Sequence, residues 1–430
     1  MTRQSSLMVA APVNRKSVPD LRALLRTMNL APGQADPANA LMPFGEFENL
    51  HFARFVVLDD LTLDDIRLYG MPRVEYPVYI AFLCDFDGDP SEFLDNAVKR
   101  AGHGLRQIFS LAEDFRDDAD LRGWMQDHEF TAAANYVNWP GRTMRQVREE
   151  SALREALAKE RQRNPAMYNR PAAEQVRQEL RRWVYRQLDD GSLKLTPPAP
   201  TPLPAKIANA LHFFVVGALL LLLLVPVGLL ILFRIRPLEK TDPVFAPRPT
   251  VEHASELAEL EDHEFTNQFS VMGSLKPGWA RLWTIQYVLF LIQWTARHVF
   301  TKGRLGRVTT IHFARWVFLD GRKRVMFASN YDGSLESYMD DFINKVGFGL
   351  NVVFSNGIAY PATRWLLLDG CNDEQTFKYV LRRHQIPTDV WYNAHPGKAA
   401  AELERNSRIR QGIEAATLSE QAAREWVQLL

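Results

Sequence analysis

The residues HFARFVVLDD at His51–Asp60 return as HFARWVFLDG at His312–Gly321. Between the two copies lies IANALHFFVVGALLLLLLVPVGLLILF, Ile207–Phe233, which carries no formal charge. Related halves of one chain normally pack together, whereas a single membrane crossing between them would hold them apart. Any fold of this chain has to reconcile the two.

The match extends well beyond the opening strand. Phe86–Ser110 aligns without a gap on Tyr331–Ser355, pairing Asp87-Gly88 with Asp332-Gly333 and Gly102-x-Gly104 with Gly347-x-Gly349. His128 and His384 each precede a Pro-Gly-basic tripeptide by twelve residues, and Tyr136 and Tyr392 keep the same register. The register shifts only around Leu61–Tyr76 and Asn356–Pro361, where surface loops absorb insertions cheaply. Several blocks in one order identify a tandem duplication.

Composition narrows the class. Lys plus Arg equals Asp plus Glu, 51 each, so a general nucleic-acid binder is not expected. The two cysteines, Cys84 and Cys371, fall at non-equivalent points, which excludes a disulfide framework and suits a reducing compartment. The N-terminal stretch has no long apolar core, so the first domain is expected on the cytoplasmic side.

Ile207–Phe233 would span roughly 40 Å as a helix, more than the ~30 Å hydrocarbon core requires. Its six consecutive leucines, Leu219–Leu224, have no use in a soluble core helix of this length. A lipid bilayer is therefore the expected partner. Basic residues flank both ends, Lys206 before and Arg234 and Arg236 after, so charge bias does not orient the segment. A straight helix would place the halves on opposite sides. A hairpin broken near Pro226-Val227-Gly228 would return the chain, and so would a second crossing at Trp279–Phe300. The latter segment contains Arg281, Gln286, Gln293 and Arg297. Its Trp279, Trp283, Tyr287 and Trp294 favour an interfacial helix over a span.

Within each half, His51–Leu58 and His312–Leu319 read as strands, followed by Val78–Cys84 or Val325–Ser329 and by long helices Ser91–Leu111 or Leu335–Phe354, broken at the glycine pairs. The second half adds a short strand at Thr363–Asp369, a helix at Asp373–His384 and a terminal strand at Val390–His395. Strands paired around two helices describe a ferredoxin-like α+β unit. The expected organisation is an extension over 1–45, a first ferredoxin-like unit over 46–145 and a charged helical segment over 146–191. A Pro-rich linker (192–206), the membrane segment (207–233) and a second linker (234–278) follow. The amphipathic helix (279–300), the second unit (307–400) and a C-terminal helix (401–430) complete the chain.

Two such units resemble the dimeric α/β-barrel superfamily, in which two ferredoxin-like sheets pack face to face. The chain is also similar to bacterial membrane-associated proteins with the pattern HFARW…NYDGS…VWYxAHP, here His312–Trp316, Asn330–Ser334 and Val390–Pro396. This resemblance implies a pseudo-dimeric α/β barrel at the bacterial inner membrane, with its soluble domains on the cytoplasmic side. Dye-decolorising peroxidases and chlorite dismutases share the architecture and bind heme, which makes a heme-dependent oxidoreductase one implied function. The leading glycine of the peroxidase Gly-x-x-Asp-Gly loop is absent before both Asp-Gly pairs.

The candidates for chemistry recur in both copies: His51, Arg54 and Asp87 in the first, His312, Arg315 and Asp332 in the second. His51, His312 and His384 are the candidate heme ligands. On a regular strand His51 shares a face with Ala53 and Phe55 while Arg54 points the other way. Asp87 is then the expected partner of a buried Arg54. The Asp-Gly pairs also suit a strand-to-helix turn, with an acid or Ser334 capping the helix. Asp59/Asp320, His128/His384 and Tyr136/Tyr392 complete the recurring set. No HExxH, CxxC, P-loop, Rossmann or Gly-x-Ser-x-Gly pattern occurs, so no metal or nucleotide site is expected. The functions that follow are binding of a small apolar or lipid-derived molecule between the sheets, the heme enzyme, or a membrane scaffold for a soluble redox enzyme.

Overall fold

The computed structural model describes residues 4–168 and 172–430. Eight strands matter here: β1 (Gln4–Val13), β2 (Leu50–Leu58), β3 (Val78–Asp87), β4 (Ala134–Val137), β5 (Thr266–Ser274), β6 (Ile311–Leu319), β7 (Arg324–Asp332) and β8 (Val390–Asn393). They form two antiparallel four-stranded sheets, ordered β1-β3-β2-β8 and β4-β6-β7-β5. The helices used below are α1 (Val18–Arg26), α2 (Pro90–Phe109), α3 (Leu121–Asp127), α4 (Met144–Arg163), α5 (Ala173–Asp189), α6 (Leu203–Leu230), α7 (Trp279–His298), α8 (Leu335–Phe354), α9 (Glu374–His384), α10 (Ala400–Glu414) and α11 (Glu420–Val427).

The short strands β4 and β8 change sides. β8, from the C-terminal half, pairs with β2 (Trp391 opposite Arg54, Tyr392 opposite Ala53). β4, from the N-terminal half, pairs with β6 in the same register (Asn135 opposite Arg315, Tyr136 opposite Ala314). Just before each crossing the chain still follows its own half. The Ala10 N–H donates to His128 O at 3.0 Å and the Phe130 N–H to Met8 O at 2.8 Å; the Ile386 N–H donates to Ser270 O at 2.8 Å. Backbone pairing therefore passes from one sheet to the other along both edges.

The sheets' outer faces are covered by helices. Phe55, Phe82 and Phe86 of the first sheet pack with Phe93, Leu105 and Phe109 of α2. Phe327 and Tyr331 of the second pack with Tyr338 and Phe342 of α8. Between the sheets Met8, Val56, Leu83, Met272, Val317 and Met326 interlock. The inter-sheet space expected to hold a ligand is thus filled with side chains, as dense packing of a core demands.

Several local readings hold. Gly88 and Gly333 adopt φ of +106° and +87°. Asp89 caps α2 and Ser334 caps α8, each accepting a backbone N–H of the first turn. Others need correction. The glycine pairs do not break both helices: α2 is continuous, and Gly104 is where the Leu41 backbone crosses so closely that a Cβ would overlap it. In α8 the kink falls at Val346, beside Gly347. Thr363–Asp369 is a two-residue hairpin rather than a strand. Residues assigned to an extension and a linker form the edge strands β1 and β5.

The apolar segment is helical from α6 through a π-turn at Ile231–Ile235 to Thr241. Pro226 sits inside the helix without reversing it, so the re-entrant hairpin at Pro226-Val227-Gly228 is not formed. Proline lacks the N–H that would bond four residues back, and the helix nevertheless continues beyond it. Among the described residues this is the one helix long and apolar enough to cross a membrane, and 6 % of its most apolar window is buried. α7 is not a second crossing, because Ile285, Leu289 and Ala296 belong to the core beneath the second sheet.

The two glycines give a paired prediction. Gly104→Ala is expected to destabilise by about 1–3 kcal/mol through overpacking. Gly349→Ala, in open space at the matching position of α8, should be neutral or stabilise by up to roughly 1 kcal/mol. Urea unfolding of the two variants beside the wild type checks both.

Candidate functional site

The matched HFAR segments meet at the seam between the sheets, and a β-bulge in each sets what their side chains do. The pairing of β2 with β3 slips between Leu50 and Phe52, and that of β6 with β7 between Ile311 and Phe313. His51 and His312 are the extra residues, and a bulge re-aims the side chain it carries. Strict alternation placed His51 away from Asp87 and Arg54 beside it; the structure reverses this. His51 Nε2 lies 2.9 Å from Asp87 Oδ1, and His312 Nε2 lies 2.7 Å from Asp332 Oδ1. The second carboxylate oxygens accept the N–H groups of Met144 and Ala400, both at 2.7 Å. These are the first residues of α4 and α10, where free N–H groups and the helix dipole favour a carboxylate. Each Asp therefore ties a bulge histidine to a helix start.

Arg54 and Arg315 cross the gap in opposite directions. Arg54 donates to Phe269 O, Ser270 Oγ and Ser329 O, each at 3.0 Å, and to Asn330 Oδ1. Arg315 donates to Leu7 O at 2.7 Å, to Cys84 O at 3.1 Å and to Asp85 Oδ1. Asn330 Nδ2 closes the circuit by donating to Asp85 Oδ2 at 3.0 Å. Asp85 thus pairs directly with Arg315 and reaches Arg54 through Asn330. Burial pushes Arg54 down to about 9, Asp85 pulls against that shift, and the like charge of Arg315 adds to it. A buried cation is tolerated only when its donors are satisfied, and here backbone carbonyls of the opposite sheet supply most acceptors.

A cavity of about 30 Å³ lies at the end of the seam, bordered by His51, His312, His395, Asn138, Arg142 and Gln4. The His395 ring stands 5.7 Å from that of His312 and 6.4 Å from that of His51. Burial holds the His395 imidazole well below its usual range, and the neighbouring His312 and His51 reinforce that. His395 Nδ1 and Arg142 Nη2 are buried without a protein partner. The volume admits a water or two and falls far short of the ~300 Å³ at which ligand pockets begin.

Heme does not fit this arrangement. His51 and His312 are held by carboxylates beside a cavity of about 30 Å³. The third expected ligand, His384, bonds Val380 O at 2.9 Å through Nδ1, and its ring abuts Gly273 beside a cavity of about 50 Å³. The equivalent His128 sits between Trp124 O and Asp114, both at 2.8 Å. Asp320 binds Arg324 and Tyr79, while Asp59 pairs with Arg15 at the surface. Tyr136 and Tyr392 are buried strand residues.

The larger opening lies on the wall of the seam, where the chain passes from β1 towards β4. It is a cleft of about 490 Å³ bordered by Ser6, Asp89, Glu129, Asn135, Gln293 and Arg315, among others. Ser6 Oγ donates to Asp85 Oδ1 at 2.8 Å, and Gln293 of α7 accepts the Asn135 N–H at 2.7 Å. Of its charged residues Arg315 is buried, while Asp89 and Glu129 are exposed. Sequence reasoning singled out Arg315 but missed Asp85, Asn330 and His395. Asp85 aligns with Asn330 and His395 with Trp139, so the copies differ at the seam where they otherwise match.

No family model, no curated protein and no solved structure matches this chain.

Two predictions follow from the charges. Asp85→Asn leaves both arginines without a carboxylate and should cost about 3–5 kcal/mol; adding Asn330→Asp to that variant should recover most of the loss, as urea midpoints of the single and double variants will show. Glu150, on α4 beside Arg142 and Arg410, is pushed up from 4.5 to about 7, chiefly by burial, with both arginines opposing. A raised carboxyl pKa means the folded state holds the proton more tightly. Its contribution is therefore complete below about pH 4.5 and lost as pH rises to about 7, on the order of 2–3 kcal/mol in all. Glu150→Gln should remove that decline, so the gap between variant and wild-type stability should change across this window and be flat above it.

Proposed function

We propose that this chain is a membrane-associated binding protein in which two ferredoxin-like halves, duplicated in tandem, close into a pseudo-dimeric α/β barrel. Its ligand is a small zwitterionic molecule of headgroup size, held in the cleft on the barrel wall and not between the sheets. The reciprocal strand pairing in matching registers supports the duplication. Membrane association is supported by the apolar, outward-facing surface of α6 from Ile207 onward, where Leu222 is 74 % exposed.

The observation that carries the ligand is the charge order of the cleft. Its buried cation is Arg315, paired with Asp85, its neutral polar residues include Ser6, Asn135 and Gln293, and its exposed carboxylates are Asp89 and Glu129. A phosphate would meet the Arg315 end and an ammonium group would meet Asp89 and Glu129. Charged hydrogen bonds of this kind contribute about 1.5–3 kcal/mol each. The cleft also reaches Gln293 on α7, the helix along which α6 packs.

Titration calorimetry with two soluble probes tests this. Glycerophosphoethanolamine should bind wild type, and Glu129→Gln should weaken it about tenfold without moving the unfolding midpoint. Glycerophosphoglycerol, which has no ammonium group, should respond little to the same change. Equal effects on both probes, or no binding of either at millimolar concentration, would overturn the ligand assignment.

A further inference from the structure

Both ends of the apolar helix are fastened to the same body. Seven residues before Leu203, the Thr196 N–H and hydroxyl donate to Glu149 at 2.6 and 2.7 Å, and Thr196 O accepts from Arg410 at 2.7 Å. Glu149 and Arg410 lie on α4 and α10, which pack with α5 and α11 in a shared core. At the other end Glu239 accepts Thr363 Oγ1 at 2.8 Å and the N–H groups of Trp365 and Leu366 at 3.0 and 2.8 Å. Three residues on, Asp242 pairs with Lys276 and Arg281 and accepts the Tyr69 hydroxyl.

Between these anchors the helix runs antiparallel along α7. Asn209 accepts from Arg297 at 2.9 Å, His212 meets His298 at 2.8 Å, Phe213 O accepts from Trp294 at 3.2 Å and Leu220 O from Tyr287 at 3.1 Å. Ile235 is buried with Ala280 at the far end. Asn209, His212, Phe213 and Leu220 fall within one side of a helix of 3.6 residues per turn, so the contacts occupy one face. The opposite face, Leu211, Phe214, Leu222, Val225, Leu229 and Phe233, is exposed along its whole length.

We infer that this helix does not cross the bilayer but lies in the plane of one leaflet, as a monotopic platform, with the barrel above it in water. Chain length decides against crossing. From Thr196 to Leu203 the linker PPAPTP reaches only about 20–25 Å when fully extended, less than the ~30 Å hydrocarbon core it would have to recross. It would do so as non-helical backbone, which hydrocarbon does not tolerate. The surroundings suit an interface instead. Lys206 starts the helix, and Arg234, Arg236 and Lys240 follow its apolar run. Trp279 and Trp283 are exposed beside its C-terminal end, where indoles favour the headgroup level.

The inference rests on the membrane association proposed above, and separate readouts keep the two apart. The native cysteines are both buried, so single cysteines at Leu211, Leu222, Val225, Leu229 and Phe233 can each carry a nitroxide label in the full-length protein. Co-sedimentation with phosphatidylethanolamine–phosphatidylglycerol vesicles reports association. Accessibility of the label to oxygen against a nickel chelate reports depth. An in-plane helix gives the same shallow depth at all five positions. A profile deepest at Leu222, with Leu211 and Phe233 near opposite surfaces, would overturn the orientation while leaving association intact. Failure to co-sediment would overturn association itself. Dipolar broadening between labels without lipid exposure would show a second copy covering this face and would equally overturn the proposal.

Discussion

Everything in this structure depends on the crossing of two short segments from one sheet to the other. Residues 128–137 bond first to β1 of their own half and then to β6 of the other; residues 384–393 do the same with β5 and β2. The halves cannot be pulled apart without breaking main-chain ladders on both edges. They cannot be placed on opposite sides of anything. The conflict between a repeat and an apolar insert is thereby settled in favour of the repeat, and the insert has to accommodate the body it is tied to.

The arginines extend the same logic to side chains. Arg54 and Arg315 each leave their own sheet and satisfy their donors on carbonyls of the facing one. An arginine is suited to this, since its planar fork offers five fixed donors and does not lose its charge readily. Such a pair contributes little net stability once desolvation is counted. What it adds is alignment, because sliding one sheet on the other would strand a buried cation. The single carboxylate, Asp85, breaks the symmetry, with Asn330 at the matching place in the other half. One side of the seam is therefore charged differently from the other, and the cleft opens on the side that holds Asp85, Ser6 and Arg315.

What could be read from the sequence was local. The β-rich HFAR segments, the Asp-Gly turns with their positive φ, the caps at Asp89 and Ser334 and the unbroken apolar run all lie within a few residues of the signal that announces them. The edge strands were not legible, because SSLMVAAPV and TNQFSVMGS are rich in small and polar residues, and their strand character comes from pairing with β3 and β7. The bulges at His51 and His312 were invisible for a related reason. A bulge is a property of two strands in register, and one strand's alternation pattern predicts the opposite facing. The partners of Arg54 lie more than two hundred residues away, beyond any spacing rule. Asp85 did leave a trace, because it stands one residue before the gapless aligned block and faces an amide, Asn330, at the matching place of the other copy.

The apolar helix shows that a strong compositional signal speaks of solvent and not of geometry. Hydropathy registers that Leu219–Leu224 and their neighbours avoid water, and it is indifferent to whether the helix stands or lies. Orientation is set by the ends, and both ends here are polar clusters fixed to one folded body. A helix held at two points on one body presents its exposed face lengthwise, and the in-plane proposal follows from that constraint. If that face meets lipid as proposed, α7, which packs along α6 and carries Gln293 at the cleft, belongs to the side of the body next to it.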